Sequence, residues 1–309
     1  MEIANLKKKA SVLGVAVSTL LMLMKIIVGL AVNSIAIVSE GLNSLTDLIS
    51  VGFGYWSIRR SSQAPDETHP YGHGKYESLA GFLQAIIIIS TGVGIMYKGI
   101  HELTHGAKEL KIVPVGMGVM AFSALASFIM GRYILKIAKQ TESAVLRADA
   151  MHFSMDVYSN LGVFAALILA TITGKNIFDP IMAIIVAGII LFPAYGLIKA
   201  SVQELVDAQI SPDIIKIINE IMMRHFPDVI NCHKIRSRRS GSFKQIDLHV
   251  VTCRKKNVDE AHALVSHLEE DVKQELANTD VLIHCEPCKE ECDDFPRCTR
   301  EKQAKNKIR

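Results

Sequence analysis

Six stretches of this chain are apolar over nearly the length that a lipid bilayer demands: residues 10–32, 34–57, 79–98, 112–135, 149–172 and 177–199. A helix needs roughly 20 apolar residues to cross the hydrocarbon core, and 79–97 and 180–198 hold no charged side chain at all. Beyond residue 200 the pattern shortens and becomes polar. Residues 212–226 read as a helix, 229–239 and 243–253 as strands turning at Gly241, 257–277 as an amphipathic helix and 280–287 as a last strand. A helix–strand–strand–helix–strand order suits a small α+β sandwich. The expected fold class is therefore an all-α six-helix transmembrane domain (1–208) followed by an α+β domain (209–288). A Cys-containing tail (289–309) is too polar to fold.

Composition agrees with that division. The 309 residues are 50% hydrophobic, with a mean hydropathy of +0.27. The net charge of +3 gives no reason to expect a nucleic-acid partner. The first apolar stretch follows Lys7-Lys8-Lys9 but is longer than the core of a signal peptide, so it is expected to stay as the first span. Lys7, Lys8, Lys9, Arg59, Arg60, Lys75, Arg132, Lys136, Lys139, Arg147 and Lys199 fall on one side of a six-span arrangement, against Lys98, Lys108, Lys111 and Lys175 on the other. The positive-inside rule then places both termini in the cytoplasm. All six cysteines lie beyond residue 207, and in the cytoplasm they are expected as reduced thiols.

The candidate chemistry lies inside the apolar segments, where ionisable groups are costly and usually functional. Asn43-x-x-x-Asp47 and His152-x-x-x-Asp156 each present two side chains on one helix face. Two carboxylates with only Lys25 nearby leave negative charge that a divalent cation would neutralise, and imidazole and carboxylate are ordinary ligands for such ions. The competing reading is a set of hydrogen bonds across helices. Lys25 and Glu40 read first as an ion pair. His152 also offers a means of coupling, because metal and proton compete for one imidazole near neutral pH. Between the second and third spans, Asp66, His69, His73 and Glu77 lie among Pro65, Pro70, Gly72 and Gly74. That is loop chemistry, with a possible accessory metal site at Asp66, His69 and His73. In the tail, Cys285, Cys288, Cys292 and Cys298 are spaced C-x2-C-x3-C-x5-C. Thiolate metal binding and plain surface thiols both fit that spacing.

The stretches SIAIVSEGLNSLTD, HPYGHGKYES and LRADAMHFSMDVYSN closely resemble the cation diffusion facilitator family of divalent metal transporters, and most of all its branch of bacterial zinc and ferrous iron exporters and magnetosome transporters. The resemblance covers nearly the whole chain. It implies a homodimer, joined through both domains in the inner membrane of a bacterium, that expels metal in exchange for protons. It also implies a transport site of Asn43, Asp47, His152 and Asp156, where many zinc members carry Asp or His at the position of Asn43. Further implications are a loop site at Asp66, His69 and His73, and a Lys75–Asp207 charge pair bracing the dimer. The cytoplasmic domain would resemble a metallochaperone, with a regulatory metal site at His233, His249, His262, His284 and Glu286. His225 and His267 read as surface residues.

Three functions fit: a proton-coupled exporter, a channel or uptake protein, and a metal-sensing or scaffold partner without transport of its own. A buried site with a titratable ligand favours a carrier over a pore. No catalytic cofactor is expected, the metal being substrate and regulatory ligand. Zinc or iron(II) comes first, with manganese, cobalt and cadmium also compatible with the ligand set.

Overall fold

The computed structural model describes residues 2–31, 35–105, 114–173 and 177–289. It divides into two units, 1–205 and 206–309. In the first, the described residues form six long helices: α1 (Glu2–Ala31), α2 (Ile35–Ser61), α3 (Lys75–His105), α4 (Pro114–Thr141), α5 (Ala144–Thr173) and α6 (Phe178–Leu205). At 27–31 residues each they are about 40–47 Å long, more than the roughly 30 Å hydrocarbon core. Each helix is thus longer than the apolar stretch it matches, and only in α3 is that stretch flanked by several helical residues at both ends.

Four of the six, α1, α3, α4 from Met117 and α6, are long and apolar enough by themselves to cross a membrane. Helices α2 and α5, which fall outside that set, carry Glu40, Asn43 and Asp47, and Asp149, His152 and Asp156. The outward surface is oily, with Phe192, Ile172, Tyr97, Ile49 and Ile27 all exposed, as expected of a lipid-facing surface. The interior is lined by small residues and serines, among them Ala10, Ser11, Ala85, Ser127, Ala187 and Ser201. Small side chains let helices approach closely in a bilayer, where apolar burial against neighbouring helices gains little over lipid. The closest packing joins α1 with α2, α3 with α6 and α4 with α5, while α5 also packs on α6. Gly54 marks how near α2 lies to α3 and α5: a Cβ there would come within 2.9 Å of Gln84 Nε2 and 3.2 Å of Asp149 Oδ1.

The second unit comprises α7 (Pro212–Arg224), β1 (Asn231–Ser240), β2 (Phe243–Thr252), α8 (Val258–Glu275) and β3 (Thr279–Pro287). These elements match the expected order, each end within two residues. Strands β1 and β2 pair antiparallel through a two-residue turn in which Gly241 takes φ 62°. Strand β3 returns parallel to β2 after α8, the crossover that parallel pairing requires. Helix α8 starts at a capping box between Asn257 and Glu260. Alternation along β2 sends Ile246, Leu248 and Val250 into a core with Ile218, Ile221 and Met222 of α7, Leu268 and Val272 of α8, and Val281 and Ile283 of β3. His249 and His284, one residue out of phase, fall on the sheet's other face.

Candidate metal centres

Helix α5 presents Asp149, His152 and Asp156 at spacings of three and four, and α2 presents Asp47 and Ser50 opposite. His152, 5% exposed, is bracketed from both sides. Its Nδ1 lies 3.4 Å from Asp47 Oδ1 and its Nε2 3.0 Å from Ser50 Oγ. Asp156 accepts from Ser127 of α4 at 3.2 Å, and its backbone carbonyl accepts from Asn160 at 2.7 Å. Lys25 donates to Ser44 at 2.9 Å. Asn43 belongs to α2, but its side chain, like that of Glu40, lies outside the described residues.

Asp47, His152, Asp156 and Lys25 line one cavity of about 520 Å³, which extends to Glu102 of α3 and Asp179 of α6. The structure thus brings Asp47 to His152 and sets Asp156 in the same chamber, though the three do not close into a single ligand cage. Sequence reasoning did not single out Asp149. It is fully buried and accepts from Gln84 Nε2 at 2.9 Å, an amide that also reaches the carbonyl of Ser50 at 2.9 Å. Its place one turn before His152 was the available signal.

Among the described residues, three other groups bring one ligand atom each to within 4.8 Å of one another: Asp66, His69 and His73; His233, His249 and Glu286; and His225, His267 and Asp271. In the first, Asp66 Oδ1 lies 3.3 Å from His69 Nδ1 and Asp66 Oδ2 lies 3.3 Å from His73 Nε2. The Thr68 hydroxyl donates to Asp66 at 2.8 Å, as does the His69 amide at 2.7 Å. These donors, Thr68 foremost, hold the Asp66 carboxyl down at about 2. The stabilisation they give to the charged form is present above the ordinary carboxylate range and is lost only as pH falls toward about 2, so Asp66 stays ionised at any working pH. Glu77 is not part of this group. It is buried beneath Lys7, Ser61 and Ser143, all of which donate to it. His101 and His105 stack with ring centroids 4.2 Å apart on the exposed end of α3.

On the sheet, register places His233 opposite His249, and His249 beside His284. Glu286 accepts from His249 at 2.6 Å and lies 3.4 Å from His233. The His284 ring lies against that of His249, centroids 4.6 Å apart and tilted by 53°. The hydrogen bond from His249 is the main reason the Glu286 carboxyl sits below its ordinary range. His262 is not brought to this group. It lines a separate pocket beside α8 with Cys253, Lys256 and Cys285.

His249→Ala is expected to weaken zinc binding to the cytoplasmic unit by at least about 10–100-fold, since removing even an outer partner of a metal ligand has that effect. Isothermal titration at pH 7.5 checks it. The wild-type affinity should fall as the buffer is acidified, because a metal must displace protons from the groups that bind it.

Of the tail cysteines, Cys285 is a thiol that burial pushes up, away from the thiolate that binds metal. Cys292 and Cys298 lie outside the described residues. Lys75 donates to the carbonyl of Leu205 at 3.5 Å. Asp207, in the other unit, accepts from Arg238 at 3.2 Å.

A helical unit with a charged chamber between α2 and α5, followed by a small sheet bearing aligned histidines, defines a class of membrane metal-handling protein. Residues 11–206 match the model of the cation efflux transmembrane domain, and residues 210–288 that of the cation efflux protein cytoplasmic domain. The chain belongs to the cation diffusion facilitator family. Relatives include the cation-efflux pump FieF of Yersinia pestis (strain Pestoides F), 30% identical over 281 residues that cover 91% of this chain and 93% of that one. The cation-efflux pump FieF of Serratia proteamaculans is 28% identical over 285 residues, covering 92% and 94%. The metal-bound C-terminal domain of the CzcD transporter from Thermotoga maritima is 32% identical over 24% of this chain and 87% of its own length, at a TM-score of 0.24. The protein is accordingly a multi-pass membrane protein of a transporter family.

Proposed function

We propose that this protein is a divalent cation exporter that exchanges cytoplasmic Zn(II) or Fe(II) for protons, with both termini in the cytoplasm and two chains joined through both domains. One observation carries the reading: Asp47 and His152 meet across α2 and α5 inside a cavity that also holds Asp156. The relatives named as cation-efflux pumps support the direction of transport. In the geometry described, both ring nitrogens of His152 are engaged, one with Asp47 and one with Ser50. A metal taking the Asp47–His152 contact must displace a proton from it, and that is the coupling. Glu102 and Asp179 extend the negative lining along the release path. The loop and strand groups are accessory and regulatory metal sites, and Lys75 and Asp207 are proposed to brace the dimer.

A second reading, a sensor or scaffold partner without transport, draws on Asn43, whose neutral amide is a weaker ligand than Asp or His. Uptake of zinc and of iron(II) into inverted membrane vesicles separates the two. The exporter reading expects uptake that rises with an imposed pH gradient. Uptake indifferent to the gradient removes the exchange mechanism, and absence of uptake for every metal leaves the partner reading.

A further inference from the structure

We propose that the cytoplasmic unit carries a second divalent-metal site, formed by His225, His267 and Asp271, which clips α7 to α8. It is separate from the His233–His249–Glu286 group on the sheet and goes beyond the transport function.

Packing in the core creates the site. Ile218, Ile221 and Met222 of α7 bury against Leu268 and Val272 of α8, so the positions just before those two on α8, His267 and Asp271, lie along the edge of the helix contact. His225 ends α7. Its backbone N–H reaches the carbonyls of Met222 and Met223, and its carbonyl accepts from Val229 at 3.0 Å. That double anchorage fixes where the ring leaves the chain.

Asp271 Oδ2 lies 2.6 Å from His225 Nε2 and 4.0 Å from His267 Nε2, and the two imidazoles meet edge to face with centroids 5.2 Å apart. Zinc bound tetrahedrally at about 2.0–2.1 Å from each ligand sets neighbouring ligand atoms about 3.3 Å apart. The observed separations bracket that value, one short and one long. His267, with 61% of its side chain exposed, is free to turn and close the longer one. Two imidazoles and a carboxylate are an ordinary zinc ligand set, leaving the fourth position to water.

Electrostatics favours a cation here on two counts. The C-terminal end of α7 presents carbonyl dipoles that attract positive charge. Arg224, next to His225 in the chain, is paired with Glu275, so its charge is offset. His225 and Asp271 are partly buried, 19% and 29% exposed at the side chain, which holds two ligands firmly while the third admits the ion from solvent.

The test is a zinc count on the full-length protein, by equilibrium dialysis and mass spectrometry of bound metal. His267→Ala and Asp271→Asn are each expected to lose one bound zinc per chain. His233→Ala/His249→Ala is expected to lose a different one, so that the combined variant loses both. Because His267 is exposed, its alanine variant should fold like wild type, which circular dichroism in zinc-free buffer verifies. Zinc uptake into vesicles should be unchanged in His267→Ala, so that failure of this site and failure of the α2–α5 site appear in different assays. Wild-type zinc content in both His267→Ala and Asp271→Asn, or loss of vesicle uptake in His267→Ala, overturns the proposal.

Discussion

Cells expressing Asp47→Ala are expected to lose the metal tolerance that the wild type confers, with transport into vesicles reduced by at least on the order of 100-fold. Removing partners one shell further out commonly costs about 10–100-fold in metal affinity, and Asp47 would contact the ion itself. It is also the residue facing His152 Nδ1, at 3.4 Å. The substitution therefore takes away a charge and the group that orients the imidazole. Asn43→Asp acts in the other direction. It restores a carboxylate next to Asp47 on the same face of α2 and is expected to change the ratio of zinc to iron(II) uptake more than the total rate. Equal tolerance in cells making wild type and Asp47→Ala would remove the exporter reading, whatever the metal.

Glu77→Ala is expected to destabilise the helical unit by about 3–5 kcal/mol, the cost of removing one partner from a buried ion pair. Glu77 and Lys7 are 1% and 4% exposed, so solvent screens the pair little. The carboxylate collects three donors from three directions: Lys7 of α1, Ser61 at the end of α2 and Ser143 before α5. It thus ties four helices together, α3 supplying the carboxylate. Glu77→Gln keeps the shape and one acceptor and should cost less. Thermal unfolding of the purified protein in detergent reads both. An Ala variant that melts with the wild type would show that the network contributes nothing to stability.

Glu77 also marks what sequence reasoning did not reach. In sequence it sits among loop histidines, outside the site expected at Asp66, His69 and His73, with no sign of the role it plays. Position 77 falls on the buried side of the first turn of α3, and only the packing of α1 and α2 reveals that. The pairs on α2 and α5 could be singled out on two facts: a four-residue spacing shares a helix face, and charge is costly in an apolar segment. Neither fact brings α2 against α5, nor shows that Ser127 of α4 holds Asp156, so the chamber's shape was not readable. The strand histidines were found by resemblance, and register explains their alignment: His233, His249 and His284 sit side by side across three strands. His262 was grouped with them and lies apart, because the rotation of α8 about its axis, set by Leu268 and Val272, turns it to another pocket. The same rotation brings His267 and Asp271 to His225, which lies 42 and 46 positions before them; His225 and His267 read as surface residues in sequence.

Coupling is the central claim, and it is tested most directly with purified protein in liposomes that contain both a zinc-sensitive and a pH-sensitive dye. An imposed zinc gradient should move zinc inward and protons outward together, in a fixed ratio. Both signals should vanish in Asp47→Ala, and zinc influx should speed up when the lumen is made more acidic than the bath. Zinc entry at the wild-type rate with no movement of protons, or with both signals intact in Asp47→Ala, would contradict the account.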